Sequence, residues 1–385
     1  MNSLFNKKFL LKKSTKAVIY TLIVLIASIY IIFGNSYYRD KININKGTHN
    51  GYSKSEIVEI GESTVDENIG WITTKVKLKL TSGSEKGSVV DAELIQDGMF
   101  NKLTREVEVG DKYIAYKQSI DGKEFWALGE PIKSGKMGLL LAIFFIGLII
   151  LGGKSGITTI VSLSATCLGI FMVFIPSILA GFNIYINSIV VCIFIILVTL
   201  PLVIGLNKKC IAATCGCLGG VLTAGLITVL MTYFMNLSGM VNEESVYITY
   251  INSDIDLKAI IFASIIIGSL GATMDVAISI ASSMREIANE SKEITQRKLI
   301  LSGMRIGRDI MGTMTNTLIL AYIGSSLSVV LLLIAYNSYV FEVLNKEMMT
   351  VEILQSLAGS IGMLLTIPIT AVISAMLYKK KNRLN

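Results

Sequence analysis

The chain has 385 residues, 52% hydrophobic and only 16% charged, with a mean hydropathy of +0.63. A soluble domain carries about 25% charged residues. Here the apolar residues gather into runs long enough to cross a bilayer, which excludes an ordinary soluble protein and predicts a polytopic α-helical membrane protein. The net charge of +7 sits mainly in short segments beside those runs; this is the positive-inside pattern, so the expected partner is the lipid bilayer and nucleic acid is excluded.

The start, "MNSLFNKKFLLKKSTK", is basic and is followed by apolar residues 17–34. The next stretch, "FGNSYYRD", offers no small-x-small cleavage site. Residues 1–34 therefore read as a basic N-terminus and a retained anchor helix, with the N-terminus inside.

Residues 35–136 form the only long polar part. "KVKLKLTSG" (75–83) alternates lysine with apolar residues at period two, the mark of a half-buried strand. "EIVEIGE", "SVVDAELI", "EVEVGDKYIAYKQ" and "EFWALGE" read as further strands, with "SGSEKG" and "VGD" as turns. Five short strands predict a small β-barrel of the OB or SH3-like kind, with Trp71 and Trp126 in its core or at its rim.

Residues 137–385 read as a seven-helix membrane domain. Apolar spans fall at about 138–151, 156–180, 184–206, 210–235, 257–283, 310–336 and 353–378, eight with the anchor. Charge sorting tests the count. Lys7, Lys8, Lys12, Lys13, Lys16, Lys154, Lys208, Lys209, Arg285, Lys292, Arg297, Lys298, Arg305, Arg308, Lys379, Lys380, Lys381 and Arg383 all fall inside. The short outer loops carry Glu243, Glu244, Asp254, Asp256, Glu342, Glu347 and Glu352, with Lys346 as a basic exception. The predicted location is the bacterial cytoplasmic membrane, with both termini inside and residues 35–136 outside. The inner segment 284–309, "REIANESKEITQRKLILSGMRI" at its heart, reads as an amphipathic helix on the inner membrane surface.

Several chemistries are excluded. The cysteines, Cys167, Cys192, Cys210, Cys215 and Cys217, lie in or beside apolar runs and read as small buried residues. His49 is the single histidine, which removes histidine metal clusters and Ser/His/Asp hydrolysis. No Walker loop is present. An aspartyl protease needs two carboxylates sharing a proton, and the depths of Asp275 and Asp309 differ. The expectation is a non-enzyme with no catalytic residues, no metal and no cofactor.

The informative residues are polar ones inside apolar spans. Asp275 lies well within 257–283, where a carboxylate costs a few kcal/mol and should face protein or water. Gly268, Ala272, Asp275 and Ser279 recur at helical spacing and predict a narrow packing face. Gly312, Asn316 and Gly324 predict the matching face of 310–336. Counted from the inner ends of their spans, Asp275 and Asn316 both come roughly 10–12 Å deep. Asp275 is therefore expected to share one site with Thr313, Thr315, Asn316 and Thr317. Arg305, Arg308 and Asp309 stand at the inner boundary, as a gate or as membrane anchors.

At "GATMDVAISIASS" and "SGMRIGRDIMGTMTNTLILAYIGSSL" the chain resembles the YibE/F family of bacterial multi-pass membrane proteins, over roughly residues 56–380. In outline it also resembles the membrane half of RND-type and SecD/SecF-type proteins, whose membrane acid relays protons; by position only Asp275 could inherit that role. Two extra helices and a small outer domain set this chain apart from that class. The expected function is a proton- or ion-coupled transporter or export component. The alternative is a non-transporting scaffold whose outer β domain binds an envelope component or partner protein. Small-residue faces would equally serve a homo-oligomer.

Overall fold

The computed structural model describes residues 2–42, 51–65, 71–97, 107–120, 123–291, 293–336 and 339–378. His49, Lys292, Lys379, Lys380, Lys381 and Arg383 lie outside the described residues. The chain divides into two compact units, Asn45–Gly147 and Met1–Ile44 with Leu148–Asn385.

In the first unit, five strands close into a barrel: β1 (Tyr52–Val65), β2 (Trp71–Leu80), β3 (Val89–Asp97), β4 (Lys112–Ile120) and β5 (Lys123–Pro131). The order around the barrel is β1-β2-β3-β5-β4. β4 returns to β1, all pairings are antiparallel except β3–β5, and no edge is left open. The alternation in β2 is what drives closure. Val76, Leu78 and Leu80 point inward and are buried, while Lys75, Lys77 and Lys79 point out. Ile57, Ala92 and Ala115 complete the core and Trp126 packs against it; Trp71 is exposed. On the outer face Lys77 donates to Glu59 at 2.6 Å, and this contact raises the Lys77 pKa.

The second unit is helical. It comprises α1 (Asn2–Arg39), α2 (Ser134–Gly169, whose first turns belong to the barrel unit), a π-helical turn at Ile170–Phe174, α3 (Ile175–Leu179), α4 (Ile184–Ile204), α5 (Lys208–Phe234) and α6 (Glu243–Ile251). These are followed by α7 (Leu257–Glu290), α8 (Gln296–Ser325), α9 (Leu327–Tyr336), α10 (Val340–Asn345) and α11 (Glu347–Tyr378). Among the described residues six helices are long and apolar enough to cross a membrane, or seven if α8 and α9 count as one bent span.

Three sequence expectations change. First, the expected spans 138–151 and 156–180 are joined in one helical run, Ser134–Leu179, instead of being two separate helices. That run is bent at Gly153, whose φ of 52° and ψ of −123° suit glycine alone. A Cβ on Gly156 would strike the Leu148 carbonyl, eight residues back, so the chain doubles over here. Second, 310–336 is not one straight helix; α8 and α9 meet at 62° around Ser326, which is buried. Third, 284–309 is not a separate helix but is divided between the end of α7 and the start of α8. Residues 284–290 continue α7 and 296–309 continue α8, and Met284 and Leu299 bury against each other with Ile287, Ala288 and Ile294. The apolar stripe of this segment packs in one cluster with Met363, Ile367, Ala371 and Ala375 of α11. Thr295 caps α8 by accepting from the Lys298 amide at 3.3 Å.

The tightest crossing is α5 against α11. Gly216 and Gly220 of α5 face Thr370 and Thr366, and Gly362 of α11 faces Gly220 and Ala224. Glycine is required here because backbone meets backbone: a Cβ on Gly362 would lie 2.6 Å from the Gly220 carbonyl oxygen. α7 packs into the angle between these two helices, and α8 lies on α11 and α7. Lys208 ties one end of the bundle together by donating to the Leu377 carbonyl at 2.8 Å. At the other end Glu347, in the first turn of α11, accepts from the amides of Ser238 (2.8 Å) and Gly239 (2.6 Å) and from the Ser238 hydroxyl.

Candidate functional site: the α7–α8 seam

α7 is buried on most of its circumference; Ile265, Ile266, Val276, Ala277, Ile280, Ala281 and Met284 are all 4% exposed or less. One narrow strip remains uncovered: Ser264, Gly268, Gly271, Asp275 and Ser279. Ala272, expected on this face, is half-buried against the Val276–Ile280–Met284 cluster.

α8 runs antiparallel beside it. Its inward face is Leu299, Gly303, Gly307 and Leu318. Gly303 stands against Met284 and Ala371, and Gly307 against Ile367. Gly268 is a packing position, since a Cβ there would lie 2.7 Å from the Tyr322 hydroxyl and 3.7 Å from Gln355 Nε2. Gly312 and Gly324 are not: a Cβ on either meets nothing within 4 Å, because both lie on the outward side of α8.

The Gly268–Tyr322 contact sets the register of the seam. Asp275 lies seven residues beyond Gly268 on the same strip of α7, and Thr315 lies seven residues before Tyr322 on the same flank of α8. Seven residues are two turns. In an antiparallel pair the same step along both helices brings Asp275 opposite Thr315. Asp275 has no hydrogen bond or ion pair among the described residues. The Thr315 hydroxyl is buried and has no protein partner. By this count an exposed carboxylate and a buried hydroxyl, neither with a protein partner, come to the same level of the two helices.

The other expected members are divided. Thr313 and Thr317 are exposed and return their hydroxyls to their own helix, to the carbonyls of Ile310 (3.0 Å) and Thr313 (2.9 Å). Asn316 is exposed on the outward side. Arg305, Arg308 and Asp309 are exposed and unpaired among the described residues. The register puts Arg308 and Asp309 level with about 278–282 of α7, so Asp275 lies one to two turns, about 5–10 Å, further along. Sequence reasoning missed Tyr322, Gln355 and the α5–α11 crossing. The i, i+4 series Gly216, Gly220, Ala224 was the available signal for the last.

Among the described residues no group of three or more His, Cys, Asp or Glu could hold a metal ion. The cysteines are free. Cys192, Cys210 and Cys217 are buried, but Cys167 is exposed, against expectation. The barrel carries a separate open groove of about 750 Å³, with Trp126 and Phe125 beside the charged Glu59, Lys75, Lys77, Asp91 and Glu93.

No curated protein and no solved structure matches the chain. The family described as YibE/F-like protein matches residues 140–380, which takes in the helical unit from the second turn of α2 to the end of α11. The chain is a member of the YibE/F-like family.

Proposed function

We propose that this protein is a proton- or ion-coupled transporter or export component of the bacterial cytoplasmic membrane, with Asp275 as the carrier group. The observation that carries the reading is an unpartnered carboxylate, Asp275, within a membrane-length helix, with the unpartnered hydroxyl of Thr315 at the same level of the neighbouring helix by the register counted from Gly268 and Tyr322. An intramembrane acid is costly and is retained where protein or water can meet it. Thr315 supplies a hydroxyl that can donate to the carboxylate and accept from the carboxylic acid. Arg308 and Asp309 lie about 5–10 Å away along the helix, where they serve as anchors at the membrane boundary. The 62° bend between α8 and α9 is compatible with the broken helices of transporters.

The topology that suits this reading has eight passes. A straight Ser134–Leu179 would be about 69 Å long, more than twice the hydrocarbon thickness. With the reversal at Gly153 it makes two passes, Lys154 marks the inner turn, and α8 with α9 makes a single bent one. Both termini then lie inside and the barrel outside. Tyr37, Tyr38, Phe182, Tyr233, Phe234 and Tyr336 come to the outer end, as an interfacial aromatic belt would. The chain is read as a non-enzyme.

The test is proton entry into liposomes holding the full chain, with a pH dye inside and an imposed potential. Wild type conducts and Asp275→Asn does not; conduction by Asp275→Asn at the wild-type rate refutes the assignment. The groove on the barrel favours the second reading, a scaffold holding an envelope component through the outer domain. Capture of an envelope component that depends on Trp126, with no flux in wild type, would establish it.

A further inference from the structure

The outward side of α8 poses a problem the protomer does not solve. Gly312 sits inside a helix, where glycine costs about 1 kcal/mol against alanine, and no contact within the chain requires it. Asn316, one turn on, has a carboxamide with no hydrogen bond among the described residues. Arg305, Arg308 and Asp309 lie on or beside the same side, exposed and unpaired. Lipid tails cannot satisfy the Asn316 carboxamide.

The spacing says what can. Arg305, Asp309, Gly312, Asn316, Ile319 and Ile323 recur at intervals of four, three, four, three and four. That is the 3.5-residue seam of a left-handed helix pair. It lies opposite the Gly303–Gly307–Leu318 face that packs within the chain.

We infer that this face of α8 is the interface of a two-fold homodimer. The charges make it self-complementary. In a parallel pair the residue at the position of Asp309 inserts into a hole made by Arg305, Arg308, Asp309 and Gly312 of the second copy. Each carboxylate then meets the guanidinium of Arg308 across the axis, twice by symmetry. One turn in, Gly312 lets the backbones approach, and the two Asn316 carboxamides donate to each other. A polar residue at one such position fixes register and a two-stranded state. The seam holding Asp275 and Thr315 is on a different flank of α8, so each site keeps its own surface.

The experiment is energy transfer between donor- and acceptor-labelled full chains in liposomes over a range of protein-to-lipid ratios. Wild type dimerises, and Asn316→Leu and Gly312→Leu each weaken the dimer by roughly three- to twenty-fold, the range of interhelical polar contacts in membranes. Asp309→Arg disperses it, and Arg308→Asp with Asp309→Arg together restores it. Leu222→Ala, on an exposed face of α5, leaves it unchanged. A wild type that stays monomeric at the highest density overturns the inference, whatever the variants do. So does a charge-swapped double variant as dispersed as Asp309→Arg alone, which would mean that the arginines serve lipid phosphate.

Discussion

Replacing Gly362 with alanine sets two effects of opposite sign against each other. Helix propensity favours the change by up to about 1 kcal/mol. Packing opposes it, because the new Cβ would lie 2.6 Å from the Gly220 carbonyl oxygen and 2.8 Å from the Ala224 Cβ. Neither neighbour is the end of a flexible side chain, so the α5–α11 crossing must open by roughly 0.5–1 Å. A gap of that size forfeits a quarter to a half of the dispersion energy at the atoms it separates. Overpacking of this kind costs about 1–3 kcal/mol. Packing wins, and Gly362→Ala destabilises by about 1–2 kcal/mol net. Gly220→Ala meets the Thr366 hydroxyl first, then the Gly362 carbonyl at 2.7 Å and Thr273 Cγ2 at 3.1 Å, so it destabilises as well. The double variant costs less than the sum by at least about 0.5 kcal/mol, because one opening serves both methyl groups. Gly271→Ala, where a Cβ meets nothing within 4 Å, is the control and is neutral or stabilising. Reversible unfolding in mixed micelles, titrated with a denaturing detergent, reads all four. A Gly362→Ala protein as stable as Gly271→Ala would refute the close crossing.

Three further outcomes follow from single contacts. Glu347→Ala removes the acceptor for Ser238 and Gly239 and costs about 1–2 kcal/mol, reduced from the buried value by partial exposure; hydrogen exchange at those two amides should accelerate selectively. Gly153→Ala puts a side chain at φ 52°, ψ −123° and costs about 1–3 kcal/mol, seen as lower yield of folded protein, whereas Gly138→Ala is silent. Leu78→Ala opens the barrel core at a fully buried position and costs about 2–5 kcal/mol; limited proteolysis should then cut within residues 52–131 while the helical unit stays intact.

Much of the architecture was legible because it follows from periodicity. The lysine–apolar alternation of 75–80 is the buried–exposed alternation of β2. The apolar runs 184–206 and 210–235 became α4 and α5 to within two residues. Where reading failed, the missing information was tertiary. The amphipathic pattern of 284–309 fits lipid or a neighbouring helix equally well, and only packing shows that Met284 and Leu299 choose each other. The bend at Ser326 has no proline to announce it. Gly268 and Gly312 are alike in sequence, yet one carries Tyr322 and the other carries nothing within the chain. Asp275 was legible by cost alone, while placing Thr315 at its level needed the register that the Gly268–Tyr322 contact supplies.

The most direct test of the central claim is potential-driven proton flux in three proteins reconstituted at equal density: wild type, Thr315→Val and Asp275→Asn. Thr315→Val keeps the shape of the side chain and removes the hydroxyl proposed to meet the carboxyl group. The account requires flux in wild type, a reduced rate in Thr315→Val and none in Asp275→Asn. Equal flux in all three would contradict it, and would move the function away from the α7–α8 seam.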